Sequence, residues 1–227
     1  MLVEHTTPVV RGQQINEDFF SGNIDEAAIA LIGATIVNDR EGIEGQIIET
    51  EAYCQSDPAA HCFQLKKERE RLRKGRPPRM HDAMYGPAGN VYIYPSNGDW
   101  CALNFVCGEK HYGAGILIRA IKGFDFCIEK IRAARSGNKN KLRDNQLSAG
   151  PFTVCRALRI PPSLNDKKLT DTNLKLFLSI HPPQQVIAAA RFGVVWNSDK
   201  HGPHLRRRYI MPGMSGYIAQ SPVKPRY

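Results

Sequence analysis

Residues 91–106 read VYIYPSNGDWCALNFV, and this stretch decides the fold class. Two runs of apolar and aromatic residues flank Asn97 and Gly98, a pair that favours a tight turn between antiparallel strands. Pro95 lies close to that turn and cannot donate to a strand ladder, so this end of the hairpin is expected to protrude from the sheet. The stretch therefore predicts an antiparallel β-hairpin.

Segments on both sides of the hairpin show strand or helix patterns. Strands are predicted from residue 35, over 45–53, over 115–121 and over 187–196; helices are predicted over 25–32, 125–134 and 151–158. Asp25 is the expected N-cap of the first helix and Gly33 its end, while Pro151 suits a helix start. The mixed order of elements indicates an α+β protein with a curved, mainly antiparallel sheet and surrounding helices.

The length of 227 residues fits one domain over 1–227. No apolar run approaches the roughly 20 residues that a membrane span requires, so no membrane association is expected. The first residues lack the basic start and apolar stretch of a secretory signal. We therefore expect the chain to stay in the compartment where it is made and to be intracellular.

The six cysteines are scattered, without a C-x-x-C pair and without histidines at zinc-finger spacing. His61 and Cys62 lie near Cys54 and could in principle hold a metal. Buried, reduced thiols are the better interpretation, because free cysteine is commonly a small core residue. We expect no metal and no disulfide framework.

The chain carries 31 Lys and Arg against 22 Asp and Glu, a net charge of +9. Such a balance suits a polyanion, because each neutralised phosphate releases counterions, and it ranks nucleic acid above acidic metabolites. Much of the basic character lies in residues 64–80, which contain few apolar side chains. This segment is predicted to be an exposed basic arm that either contacts phosphates or is simply solvated.

Two carboxylates are predicted to point the same way from the strand over 45–53. Side chains alternate along an extended chain, which groups Ile47, Glu49, Glu51 and Tyr53 on one face and Ile48, Thr50 and Ala52 on the other. Arg119 lies within an apolar strand and needs a partner there, for which Glu49 and Glu51 are the candidates.

This pattern alone leaves two interpretations open, and it favours the first. Arg119 and Glu51 form either a structural ion pair or a general base beside an arginine. A sugar hydrolase is a weak interpretation, because its two carboxylates must flank the scissile bond, whereas Glu49 and Glu51 point in parallel.

Four residues could form a pocket for a base if they meet across strands: Tyr53, His61, Tyr92 and Tyr94. An extruded base needs aromatic faces to stack on and a hydrogen-bonding residue at its edge. Tyr92 and Tyr94 share one face of the first hairpin strand, so at least one of them is expected only to pack. The spacing leaves open which one.

The chain resembles the alkyladenine (3-methyladenine) DNA glycosylase family, the single-domain type without a helix-hairpin-helix. The resemblance rests on segments that occur in family order between about residues 28 and 195. They are ETEAY at 49–53, DPAAH at 57–61, MYGPAG at 84–89, VYIY at 91–94, LN at 103–104, LIRA at 117–120, SAGP at 148–151 and CRAL at 155–158.

The resemblance implies that Glu51 activates a water molecule that attacks the sugar carbon, and that Arg119 helps hold the carboxylate and the water. It places the extruded base between Tyr53 and Tyr94, with His61 at its edge. The implied activity is hydrolysis of the N-glycosidic bond of a damaged purine, of the 3-methyladenine, hypoxanthine or ethenoadenine type, in base excision repair.

The resemblance further implies that Asn104 stands where the amino group of normal guanine would clash. It implies a monofunctional enzyme that acts on double-stranded DNA, needs no cofactor and works as a monomer. A water nucleophile requires a base but no Schiff-base lysine.

The chain departs from the family at the hairpin tip. The family inserts a tyrosine into the gap left by the flipped base, whereas Asn97 and Gly98 occupy the tip here, followed by Asp99. A small amide fills the vacated stack poorly, so Trp100 is our candidate for the wedge. The alternative interpretation is a non-catalytic or weakly flipping DNA-binding protein on the same fold.

Overall fold

The computed structural model describes residues 10–57, 60, 62, 80–95, 101–135, 142–191 and 205–219. Within these ranges the chain forms three α-helices: α1 (Ile24–Ala30), α2 (Ile128–Arg135) and α3 (Pro151–Ala157). Nine strands are β1 (Thr35–Asn38), β2 (Ile43–Cys54), β3 (Asn90–Pro95), β4 (Cys101–Val106), β5 (Ala114–Gly123), β6 (Lys167–Lys168), β7 (Leu174–Phe177), β8 (Ile187–Ala189) and β9 (Arg208–Ile210). Short 3-10 helices connect several of them.

The strands form one sheet in the order β6-β3-β4-β5-β2-β1-β7, with β9 pairing to β2 and β8 pairing to β9. Every described pairing between strands is antiparallel. The predicted α+β class with a mainly antiparallel sheet is confirmed. β2 is the longest strand and pairs with β5, β1 and β9, so it lies at the centre of the architecture.

The predicted hairpin is formed by β3 and β4. Val91 pairs with Phe105, and the ladder continues to Pro95 opposite Cys101. The tip at residues 96–100 lies outside the described residues, so its protrusion stays a prediction. Residues 64–79 of the basic arm also lie outside, whereas Met80 begins a 3-10 helix, Met80–Tyr85.

The first helix begins earlier than predicted. The side chain of Asn23 caps α1 by accepting from the backbone N–H groups of Asp25 at 2.8 Å and Glu26 at 3.2 Å. The predicted cap, Asp25, instead lies in the first turn. The helix ends at Ala30, two residues before the predicted end, and Gly33 follows in the turn after it with a φ of +90°, a conformation that favours glycine.

The last predicted strand is shorter than its apolar pattern indicated. β8 ends at Ala189, and residues 192–196 lie outside the described ranges. α3 begins at Pro151, as predicted.

The sheet has two different faces. One face packs against α1 and α3 and forms the main apolar core, which includes Ala28, Ala52, Leu103, Phe105, Ile116, Ile118 and Val154. The opposite face carries a smaller cluster of Ala60, Cys62, Ala83, Met84, Tyr85, Tyr92 and Val106, against which Tyr53 and Tyr94 pack. We call these the helix face and the tyrosine face.

An irregularity in β2 assigns its residues to the two faces. The register with β5 shifts on both sides of Glu49. The predicted grouping of Ile47 with Glu49 is wrong, because Ile47 joins the main core together with Ala52. A bulge changes the alternation of side chains, and a simple period of two cannot anticipate it.

All six cysteines are free and buried, in agreement with the interpretation as core thiols. None of the helices in the described ranges is long and apolar enough to cross a membrane.

Candidate active site

Glu51 lies in the middle of β2 and is fully buried. It is paired in register with Leu117 of β5 on one side and with Arg208 of β9 on the other. The position is rigid, because both neighbouring strands hold the backbone of β2. A carboxylate at such a site loses its hydration, so hydrogen-bond donors from the protein must replace water.

Two donors bind the same oxygen of Glu51. The hydroxyl of Tyr53 donates to Oε2 at 2.6 Å, and Nη1 of Arg119 donates to Oε2 at 3.1 Å. Tyr53 reaches Glu51 because residues two apart on a strand share a face. These two donors replace water at that oxygen of the buried carboxylate.

Arg119 joins both carboxylates of the strand. Its Nε donates to Oε1 of Glu49 at 3.1 Å, in addition to the bond to Glu51. Burial lowers the pKa of Arg119, but the charges of Glu51 and Glu49 outweigh this effect, and the net pKa is raised above its ordinary value. The predicted pairing of Arg119 with Glu49 and Glu51 is confirmed.

The sequence interpretation missed Arg208, the partner of Glu49 from the other side. Its Nε donates to Oε1 of Glu49 at 2.5 Å, and its side chain is 12% exposed. No local signal selects Arg208, because it stands in a run of three arginines, Arg206-Arg207-Arg208, followed by Tyr209 and Ile210.

A second buried ion pair, which the sequence interpretation also missed, contacts the ring of Tyr53 on the side that we call its back. The guanidinium carbon of Arg191 lies 4.7 Å from the centroid of the Tyr53 ring. Arg191 donates from Nη2 to Oδ1 of Asp57 at 2.9 Å, from Nη1 to Oδ2 of the same carboxylate, and from Nη1 to the carbonyl of Ala52 at 3.0 Å. This bidentate pair fixes the plane of the arginine, and the arginine in turn fixes the tyrosine ring.

The hydroxyl of Tyr53 stays protonated over the whole physiological range. Burial raises its pKa well above the ordinary value, and the charge of Glu51 and the hydrogen bond to it raise it further. Arg191 and Arg119 lower it by smaller amounts. Tyr53 is therefore a permanent donor to Glu51.

The structure distinguishes the two tyrosines of β3. Tyr92 is buried in the cluster of the tyrosine face, and its burial raises its pKa well above the ordinary value. Tyr94 is only partly buried, and its ring lies edge-on to that of Tyr92, with centroids 6.4 Å apart. Tyr92 is thus the residue that packs, and Tyr94 is the one whose ring is accessible.

Asn104 lies on the same face as Glu51. Tyr92, Asn104, Leu117 and Glu51 are paired in one row across β3, β4, β5 and β2. Opposite residues in antiparallel strands share a face, and two strand spacings separate Asn104 from Glu51 by roughly 10 Å. Its Nδ2 donates to the carbonyls of Tyr92 at 3.3 Å and Ala102 at 3.2 Å.

The remaining predicted site residues lie outside the described residues: His61, Asn97, Gly98 and Trp100. Among the described residues, no group of three His, Cys, Asp or Glu side chains could hold a metal ion. The structure thus brings together Glu51, Tyr53, Arg119, Tyr94 and Asn104 on one face of the sheet. The arrangement places a buried carboxylate, with an arginine and a tyrosine as donors, beside an accessible aromatic ring, and these groups are chemically suited to general-base catalysis.

Comparison with known proteins identifies the family to which the chain belongs. The family model of methylpurine-DNA glycosylases (MPG) matches residues 18–215, and the chain belongs to this family. A protein of Nitrosospira multiformis named "Putative 3-methyladenine DNA glycosylase" is 36% identical over 178 residues, which cover 78% of this chain and 81% of the relative. A protein of the same name from Methanoculleus marisnigri is 30% identical over 210 residues, covering 89% and 96%.

The membership confirms the family resemblance found in the sequence. The protein is a DNA glycosylase, a hydrolase that acts on the N-glycosidic bond, and DNA is its substrate.

Proposed function

We propose that this glycosylase flips an alkylated or deaminated purine out of double-stranded DNA and hydrolyses its N-glycosidic bond with Glu51 as the base. The observation that carries the proposal is the fully buried Glu51 carboxylate bound by Arg119 and Tyr53. The alternative of a structural ion pair accounts for the same donors, but membership in a family of glycosylases supports a base at this carboxylate.

The proposed step is a single displacement at the sugar carbon. Glu51 accepts a proton from a water molecule while the water oxygen forms a bond to that carbon. The N-glycosidic bond breaks, and its electron pair leaves with the base. A cationic alkylated purine leaves as a neutral molecule, which makes it a good leaving group, and Arg119 orients the carboxylate throughout.

The base is proposed to stack between Tyr53 and Tyr94. The ring of Tyr53 is fixed through its hydroxyl to Glu51 and through Arg191 behind it, so the stacking surface and the base catalyst form one rigid unit. Tyr94 offers the more accessible ring of β3. Asn104, on the same face, is proposed to exclude the amino group of guanine, and His61 to contact the base edge as the family resemblance implies.

A water nucleophile forms no Schiff base with the enzyme, so the proposed product is an abasic site in an unbroken strand. The net charge of +9 supports binding to the phosphates of the duplex, and we propose that a monomer is the active form.

The test uses duplexes that each carry one hypoxanthine, ethenoadenine or 3-methyladenine, followed by alkali to reveal abasic sites. We expect the wild type to release at least one of these bases and Glu51→Gln to lose the activity. Glu44→Gln is the matched control, because Glu44 lies on the same strand but pairs with Arg11 at the surface. Tight binding without release of any base by the wild type would instead support the non-catalytic DNA-binding protein.

Trp100 is proposed to fill the gap left by the flipped base in place of the family's tyrosine. Trp100→Ala should then weaken binding to a lesion-containing duplex more than binding to an undamaged one, because only the former has a flipped base. Equal affinity of the variant and the wild type for the lesion duplex would refute this role.

A further inference from the structure

Four charged side chains of the tyrosine face form a continuous chain. From β9 inward they are Arg208, Glu49, Arg119 and Glu51, joined by contacts of 2.5, 3.1 and 3.1 Å. Their charges alternate in sign and sum to zero. Both carboxylates are fully buried, and both arginine side chains are at most 12% exposed.

Arg208 is placed to act on this chain through its contact with Glu49. It is paired in register with Glu51, yet its guanidinium crosses diagonally to Glu49. Both arginines bind Oε1 of Glu49, and Oε2 of that residue has no hydrogen-bond partner among the described residues. Arg208 therefore supplies half of the described donors to Glu49.

The surrounding groups do not replace Arg208. Tyr53 donates to Glu51 but is neutral, and the charge of Arg191 behind it is balanced by the bidentate pair with Asp57. Without Arg208, the buried carboxylates of Glu49 and Glu51 would share the single charge of Arg119 among the described residues of this chain of contacts. Like charges at one site cannot both stay ionised at low dielectric, so one of the two would take up a proton.

From this arrangement we infer that Arg208 is a positioning residue of the glycosylase: by neutralising Glu49, it leaves Arg119 available to hold Glu51 as a carboxylate. The inference rests on the proposed role of Glu51 as the base. Arg208 would then act on the reaction through Glu49 and Arg119, without touching the DNA base or the water.

The experiment measures the pH dependence of single-turnover base release with saturating enzyme, on whichever of the three lesions the wild type releases fastest. The acid limb is the fall of the rate on the acidic side of the pH profile. In Arg208→Gln this limb should move to higher pH by about one unit, since loss of a neighbouring positive charge favours the protonated carboxyl. The rate at alkaline pH should be largely kept. Arg208→Lys should restore most of the shift. Arg206→Gln removes an exposed charge from the same run and should leave the limb in place.

A double variant separates this role from a merely structural one. Glu49→Gln should move the acid limb to lower pH, because Arg119 then serves Glu51 alone. Adding Arg208→Gln to Glu49→Gln should leave the limb where Glu49→Gln puts it, because Arg208 then has no carboxylate to neutralise. An unmoved limb in Arg208→Gln, or a limb that rises in the double variant as much as in Arg208→Gln alone, overturns the inference. If Arg208→Gln does not fold, Glu49→Gln is measured alone, and an acid limb that does not move to lower pH overturns the inference.

Glu51→Gln is measured in parallel and keeps the two proposals apart. If this variant is inactive and the limb of Arg208→Gln is unmoved, only the role of Arg208 fails. If Glu51→Gln retains the wild-type rate, the proposed base itself is wrong.

Discussion

The helix face and the tyrosine face of the same sheet bury different kinds of side chain. Phe105 and Ile118 on the helix face are fully buried among apolar neighbours. On the tyrosine face, Glu49 and Glu51 are equally buried, and the two arginines Arg119 and Arg208 balance them. Apolar burial stabilises the fold by roughly 25 cal/mol per Å², whereas buried ion pairs cost desolvation that their attraction offsets only with good geometry.

From this comparison we propose that stability and chemistry are divided between the faces. β2 contributes to both, with Thr50 and Ala52 directed to α1 and the main core, and Glu51 and Tyr53 directed to the site. A rigid apolar layer behind the strand holds the charged residues in fixed positions. Substitutions on the two faces should therefore differ in what they change.

The largest effect on stability is expected on the helix face. Phe105→Ala should lower the free energy of unfolding by about 3–5 kcal/mol, because the ring is fully buried and stacks on Phe20 with centroids 5.4 Å apart. Urea denaturation measures it. Phe126→Ala, at an exposed position where the ring only stacks on Phe124, is the control and should cost no more than about 1.5 kcal/mol. Similar losses for both variants would contradict the proposed division.

A smaller loss that depends on pH is expected for Arg119→Gln. Removing the shared cation leaves two buried carboxylates with too few donors and should cost about 3 kcal/mol at neutral pH. Because the pKa of Arg119 is raised, the wild-type pair is intact far above neutral pH. The pH dependence of the stability lost in Arg119→Gln is therefore set by the two carboxyl groups, not by the arginine.

The sign of this pH dependence follows from linkage. In the variant a carboxyl group takes up its proton more readily in the folded protein than in the unfolded chain, so the deficit shrinks as the pH falls towards about 4. Urea denaturation of variant and wild type at several pH values tests this. A deficit that stays constant from neutral pH to about 4 would show that lost packing, not charge, is responsible.

The smallest effect on stability, with a distinct effect on activity, is expected for Tyr53→Phe. The ring and its contact with Arg191 remain, but Glu51 loses the 2.6 Å hydrogen bond, so single-turnover base release should slow by about tenfold. The pKa of Tyr53 is raised well above 10.0, so the ratio of the two rates should be constant between about pH 7 and 9. Tyr92→Phe, in the packed cluster, is the matched control, and an equal slowing of both variants would contradict a specific role of the Tyr53 hydroxyl.

Much of the fold could be predicted from local patterns. The hairpin of β3 and β4, the strand β5 and the start of α3 at Pro151 follow from turn residues, apolar runs and helix starts, all of which act over short distances. Two predictions were wrong: the N-cap of α1 and the sheet face of Ile47. The choice between neighbouring polar residues as N-cap depends on packing against other elements, and so does the position of a β-bulge.

The candidate site was predictable in part for the same reason. Glu51, Tyr53 and Arg119 have local signals, since two acidic residues on one strand face and an arginine in an apolar strand both demand partners. Arg208, Arg191 and Asp57 have no such signal, because their partners lie far away in the chain. Arg191 is 134 residues from Asp57, and Arg208 is 159 residues from Glu49.

The sequence by itself determined the fold class, the family and the candidate base Glu51, because strand period, turn chemistry and motif spacing are written in neighbouring residues. Only the tertiary structure decided that Tyr92 packs while Tyr94 stays accessible, and that Arg119 is shared between two carboxylates while Arg208 neutralises one of them. Burial and charge balance are properties of residues brought together from distant strands, so they arise only when the sheet has formed.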